Sequence, residues 1–128
     1  MVQLVTQDIK VSVETNFEGT FYKSNKMNYA FGYTVTIENL GKEDVQLLAR
    51  YWRISDALNN VEEVEGEGVI GKKPVIHPGE SHTYSSGCLL ISPFGAMKGF
   101  YEMLNLQNNQ TFKVLIPSFK LSAPHAMS

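Results

Sequence analysis

The chain predicts an all-β fold: a single sandwich of about seven antiparallel strands. Three observations carry this expectation. Every sustained hydropathy pattern has a period of two, Gly, Pro and Asn turns cut the chain into short segments, and apolar positions at helical spacing are sustained nowhere. At 128 residues the chain suits one domain that buries about two-thirds of its unfolded surface, enough for a core without disulfide or metal staples.

The elements follow in order. Ile9, Val11 and Val13 alternate with Asp8, Lys10, Ser12 and Glu14, which places one face of a strand on a core. From Met27 to Ile37 the odd positions read Met, Tyr, Phe, Tyr, Val, Ile and the even ones Asn, Ala, Gly, Thr, Thr, a half-buried strand. Val45 to Ile54 is apolar on odd positions up to Tyr51 and then shifts to Trp52 and Ile54, which implies a bulge or burial on both faces. Asn59-Asn60 can supply left-handed residues for a hairpin into VEEVE, whose alternating acids suit a strand at a sheet edge. Ser81 to Ile91 and Met97 to Leu104 are two further strands separated by the turn SPFGA, with Gly99 opposing a helix in MKGFYEML. Phe112, Val114 and Ile116 mark the last strand, and SAPHAMS, residues 122–128, reads as a loose tail. No repeat or linker divides the chain, and strands so joined pack as in immunoglobulin and fibronectin type III domains.

Eleven Lys and Arg against 13 Asp and Glu give a net charge of -2, with no basic block of the kind nucleic-acid binders carry, so no nucleic-acid partner is expected. Cys88 is the lone cysteine, the start MVQLVTQDIK lacks the cationic and apolar regions of a signal peptide, and no apolar run approaches a membrane span. A soluble cytoplasmic protein without a membrane partner is the expectation.

The stretch GEGVIGKKP, Gly66 to Pro74, matches G-x-G-x-x-G and misses the P-loop pattern only because Lys73 stands where a Ser or Thr hydroxyl would hold magnesium. Either pattern needs a helix after the glycines to present its N-terminal amides to phosphate. Pro74 and Pro78 oppose one, and the ribose-binding acid is missing where SSGCLLI stands. A Gly-rich turn that needs positive φ or close chain approach explains the stretch with less. A third possibility is an anion nest, in which turn amides flanked by Lys72 and Lys73 hold a pyrophosphate or nucleotide polyphosphate. Gly66, Gly68, Gly71, Lys72 and Lys73 are therefore the candidate anion- or partner-binding residues.

Other chemistry is sparse. His82 and Cys88, six residues apart on one strand, would lie on the same face about 20 Å from each other, too far for a thiolate-imidazole pair, and Cys88 reads as a small buried thiol. His77, His82 and His125 lack the close spacing of a zinc site, and Glu62, Glu63, Glu65 and Glu67 more simply guard an edge than hold a divalent cation. No catalytic residue, metal site or cofactor is expected.

The segment GEGVIGKKPVIHPGESHTYSSGCLLISPFGAMKGFYEM resembles the signature of the ApaG family. There the Gly-rich turn leads to P-x-x-x-P-G-E, here Pro74, Pro78, Gly79 and Glu80. Next comes Y-x-S-G, here Tyr84, Ser86 and Gly87, followed by Pro93, Gly95, Met97, Gly99, Tyr101 and Met103 in a P-x-G-x-M-x-G-x-Y-x-M run. YAFGYTVTIENLG and LLARYWRISDALNNVEEVEGEG extend the resemblance over nearly the whole chain. It implies a fibronectin type III-like sandwich in a stand-alone bacterial member. Related domains attached to F-box proteins and to a polymerase-interacting protein imply a role in holding partners. The family's name reflects gene proximity to a diadenosine tetraphosphate hydrolase, and one relative is linked to cobalt and magnesium efflux, yet the resemblance brings no catalytic residues. The expectation is a non-enzymatic module for an unidentified protein partner, recognised at strand edges and loops, with a phosphate-containing ligand at Gly66–Lys73 as the alternative. An unpaired edge would also allow a homodimer.

Overall fold

The computed structural model describes residues 1–58 and 60–124, so Asn59 of the expected hairpin and His125 lie outside it. Nine strands run β1 (Val2–Thr6), β2 (Ile9–Lys23), β3 (Lys26–Asn39), β4 (Val45–Asp56), β5 (Val61–Glu67), β6 (Val75–Ile76), β7 (Ser81–Leu90), β8 (Phe94–Asn105) and β9 (Gln110–Ser122). They form two antiparallel sheets, β1-β2-β3-β7 and β5-β4-β8-β9, with β6 continuing the β5 edge against β4. This is the expected sandwich, with nine strands where about seven were expected. The additions are β1, whose side chains are mostly exposed and show no alternation, and the two-residue β6. No helix among the described residues is long and apolar enough to cross a membrane.

The period-two faces meet in one core: Ile9, Val11 and Val13 from β2 and Phe31, Val35 and Ile37 from β3 pack with Leu47, Met103, Val114 and Leu121 of the other sheet. The parity shift in β4 is a bulge, with the β4–β8 register slipping between Leu47 and Ala49. Beyond it Trp52 points inward and is 3% exposed, packed at 5.4 Å on Tyr33 and edge-on to Phe119 at 5.9 Å. Tyr84 and Tyr101, both buried, satisfy each other's hydroxyls, as buried polar groups require. Two-residue turns with positive φ at both positions, Gln7-Asp8 and Ser24-Asn25, close the first two hairpins, the geometry that matches strand twist.

The first residues of the expected loose tail are built into the fold. Ser122 ends β9, and Ala123 is buried with its N–H donated to the Pro93 carbonyl at 2.9 Å, so these two residues belong to the sandwich; residues 125–128 lie outside the described ones.

The two long sides of the sandwich differ. On one, β1 and β2 pack on β9 and close the sheets together. On the other, the edge strands β5 and β7 leave an open seam.

Candidate functional site

The glycine turn leads away from the end of β5. Gly68 has φ +62, Val69 plugs into the core at 1% exposure, and Ile70 (φ 47) with Gly71 (φ +72) forms a two-residue turn. The N–H of Val69 donates to the Lys72 carbonyl at 2.8 Å and that of Lys72 to the Val69 carbonyl at 3.0 Å, closing a small hairpin of type I′ sign. Lys73 and Pro74 then lay the chain back on β4, where their carbonyls accept from the Gln46 side chain at 3.1 Å and the Leu47 N–H at 3.0 Å. The glycines join one strand to another, without the helix that either nucleotide motif requires.

Each glycine answers a local demand. A Cβ on Gly66 would meet the Arg50 guanidinium at 2.8–2.9 Å, and one on Gly68 would lie 2.1 Å from the Lys72 carbonyl oxygen. Gly71 has open space around it and is needed for its φ. The amides of Gly68, Val69 and Lys72 are all bonded within the protein, Gly68 to the Leu48 carbonyl at 2.8 Å, which leaves few donors for an anion nest. Lys73 lies 3.3 Å from Glu67. The five sequence-derived residues thus share one turn whose conformation is accounted for by contacts inside the fold. Replacing Lys72 and Lys73 together by Ala should change stability by less than about 1 kcal/mol, because exposed ion pairs contribute little; urea denaturation measures it.

Ile70 stands apart, a β-branched residue in the left-handed region with its side chain 60% exposed. Such a residue is strained there by about 1 kcal/mol or more. Ile70→Asn should therefore raise stability by about 1 kcal/mol, since Asn before Gly is the preferred pair in this turn; a thermal melt that falls instead would show that the exposed isoleucine makes a stabilising contact.

Arg50 is the residue that sequence reasoning missed. It pairs with Gly66 in the β4–β5 register, two positions from Trp52 opposite Val64 and four from Ile54 opposite Glu62, so all of these share the inward face. Its Nη1 donates to the carbonyls of Glu67 at 3.0 Å and Gly68 at 2.9 Å, and the missing side chain of Gly66 makes room for it. The parity shift of β4 was the available signal, because it puts a charge in phase with Trp52 and Ile54.

Arg50 lines a cleft of about 450 Å³ in the open seam, together with Tyr33, Trp52, Val64, Ser86 and Cys88, and with Glu62 also on its wall. This volume lies within the range of small-molecule and side-chain pockets. Burial raises the Tyr33 phenol, despite a hydrogen bond to Ser86 that acts the other way. Burial, with a smaller push from Glu62, raises the Cys88 thiol to about 11, so it stays protonated at neutral pH and is a poor nucleophile. Cys88 lies 3.8 Å from the Met97 sulfur.

His77 and His82 sit in different environments. The His77 Nδ1 is 2.8 Å from Asp44, which raises its pKa, whereas burial and then Lys72 lower that of His82. Among the described residues no three of His, Cys, Asp or Glu gather as a metal site would require. Glu62, Glu63, Glu65 and Glu67 are spread along β5, with Glu62 inward and the other three on the outer face.

The two edges of the seam have opposite character. β5 carries four glutamates in seven residues, whereas β7, ten residues long, reads SHTYSSGCLL with no charged side chain and no proline. On its outer face Ser85 and Thr83 bond to Thr34 and Thr36 of β3 at 2.9 and 3.1 Å, while its other edge has no strand partner among the described residues.

Comparison with known proteins agrees with this architecture. The family described as ApaG domain matches residues 19–105. Protein ApaG of Mesorhizobium japonicum is 43% identical over 124 residues, covering 97% of this chain and 95% of that protein. Protein ApaG of Brucella abortus is 44% identical over 124 residues with the same coverage. Among solved structures, an X-ray structure of a structural-genomics target superimposes with a TM-score of 0.87 at 38% identity, covering 91% of this chain and 88% of that one. A Bordetella pertussis protein described as ApaA does so with a TM-score of 0.81 at 37% identity, covering 91% of this chain and 94% of that one. With a matching family domain, relatives at this identity over nearly its full length, and the sandwich they share, the chain belongs to the ApaG family.

Proposed function

We propose that this protein is a non-enzymatic interaction module that holds an extended segment of a cytoplasmic protein partner along the free edge of β7. The observation that carries the reading is the contrast between the two edges of the open seam. A strand edge offers a row of unpaired N–H and C=O groups, and proteins that do not use such an edge guard it with charges, proline or a bulge. β5 is guarded in this way by Glu62, Glu63, Glu65 and Glu67. β7 carries no such guard over ten residues, and beside it opens a cleft for side chains of an added strand. β-Augmentation uses these parts: backbone pairing supplies affinity, and pockets for alternate side chains supply specificity. The lone thiol Cys88, held protonated, suits a reducing compartment. Pyrophosphate binding at Gly66–Lys73 has less support, because the amides of Gly68, Val69 and Lys72 serve the fold, and cobalt or magnesium efflux is not part of the reading.

Placing lysines on the outer face of β7, as Ser85→Lys with Leu89→Lys, would guard the edge. Ser85 is exposed and Leu89 is 45% exposed, so the fold should survive. Proteins that co-purify with the unaltered chain from a native lysate should be lost with this variant. Retention of the same proteins by a folded variant would contradict docking at β7.

A further inference from the structure

The cleft beside β7 has opposite charges at its two ends. Arg50 faces Gly66 and Glu62 lies four residues away along β5 on the same inward face, about 13 Å apart at strand rise. Between them Trp52 and Val64 form an apolar floor. Among the described residues the ion pairs are Lys73 with Glu67 and His77 with Asp44, so neither Arg50 nor Glu62 is in an ion pair among them. The Arg50 guanidinium is held ready, since Nη1 is fixed on two carbonyls and Gly66 seats the group. Such preorganisation lowers the entropy lost when a carboxylate arrives.

The ends can be matched to β7. The Tyr84 hydroxyl meets that of Tyr101, and Tyr101 is paired with Arg50 across β4 and β8. Cys88 lies 3.8 Å from the sulfur of Met97, which is paired with Ile54, itself paired with Glu62. β7 therefore runs from the Arg50 end toward the Glu62 end. A strand added antiparallel to β7, the more stable arrangement, enters at the Glu62 end and leaves at the Arg50 end, sending every second side chain into the cleft.

We propose that the seam reads charge order in the docked segment: a basic residue for Glu62, an apolar residue over Val64 and Trp52, and an acidic residue for Arg50, spaced by two from N- to C-terminus. This rests on the docking reading above and adds the chemistry of the partner to it. Charge complementarity of this kind selects partners by rejecting the wrong order as well as by attracting the right one.

Three blocked peptides test it: TKTVTET, TETVTKT and TETVTET, titrated at low salt by calorimetry, with backbone amide shifts followed by NMR. The protein should bind TKTVTET about tenfold more tightly than either alternative, with shifts concentrated on β7. Glu62→Lys changes an exposed side chain, leaves the Arg50 clamp intact and should transfer the preference to TETVTET. Equal affinities with β7 shifts present, or no transfer in the Glu62→Lys variant, would overturn the charge code and leave docking at β7 standing. The absence of β7 shifts with every peptide would overturn both. A concentration-dependent dimer in sedimentation, with its contact at β7, would assign the seam to a second copy of this chain and overturn the proposal.

Discussion

Gly68→Ala is expected to destabilise the protein by about 3 kcal/mol, near the upper range of single substitutions. Two costs combine. Alanine at φ +62 loses about 1 kcal/mol against glycine, and the new Cβ would lie 2.1 Å from the Lys72 carbonyl oxygen, a backbone atom that cannot rotate aside. That carbonyl accepts from Val69, so relief would break the small hairpin and draw Val69 out of the core. A drop in melting temperature of roughly 10 °C is the expected result for a domain of this size. A drop of only about 2 °C would mean that the turn relaxes freely and that the glycine is there for some other reason.

Gly99→Ala should cost about as much, roughly 3 kcal/mol, by a different route. Gly99 pairs with Trp52 in the centre of the β4–β8 ladder and sits where the β8–β9 register slips. Its Cβ would lie 2.0 Å from the Tyr51 carbonyl oxygen. The strands would have to separate at Trp52, which floors the cleft, so peptide affinity should fall along with stability. Equilibrium unfolding in urea measures the first effect, and a near-neutral result would contradict the close approach of β4 and β8.

Much of the fold was legible because burial on one face imposes a period of two, as in Ile9–Val13 and Met27–Ile37, and because the shifted phase of Trp52 and Ile54 announced the bulge at Leu47/Ala49. β1 escaped because its side chains are mostly exposed, so selection for burial leaves no alternation. The outer half of β2, beyond Thr15, escaped for the same reason: it is held by pairing with β3 and by Phe17 tilted on Phe31 at 5.4 Å rather than by a buried face. VEEVE was legible as an edge through its acids, and the strand order places β5 at one end of its sheet. The complementary fact, that β7 is the other edge of the seam, depends on which sheet each strand joins, and hydropathy is silent about that. Gly66–Lys73 drew attention as a motif, but its conformation answers to Arg50, Lys72 and the core around Val69. Arg50 itself was visible only as a charge in an apolar phase.

Amide hydrogen exchange of the protein, alone and saturated with the partner recovered by co-purification, tests the account most directly. New protection should concentrate on Ser81–Leu90 and leave the outer edge of Val61–Glu67 unchanged, because an added strand bonds to the β7 backbone. Protection confined to the Gly66–Lys73 turn or to the outer face of the β5-β4-β8-β9 sheet, with β7 exchanging as in the free protein, would contradict it.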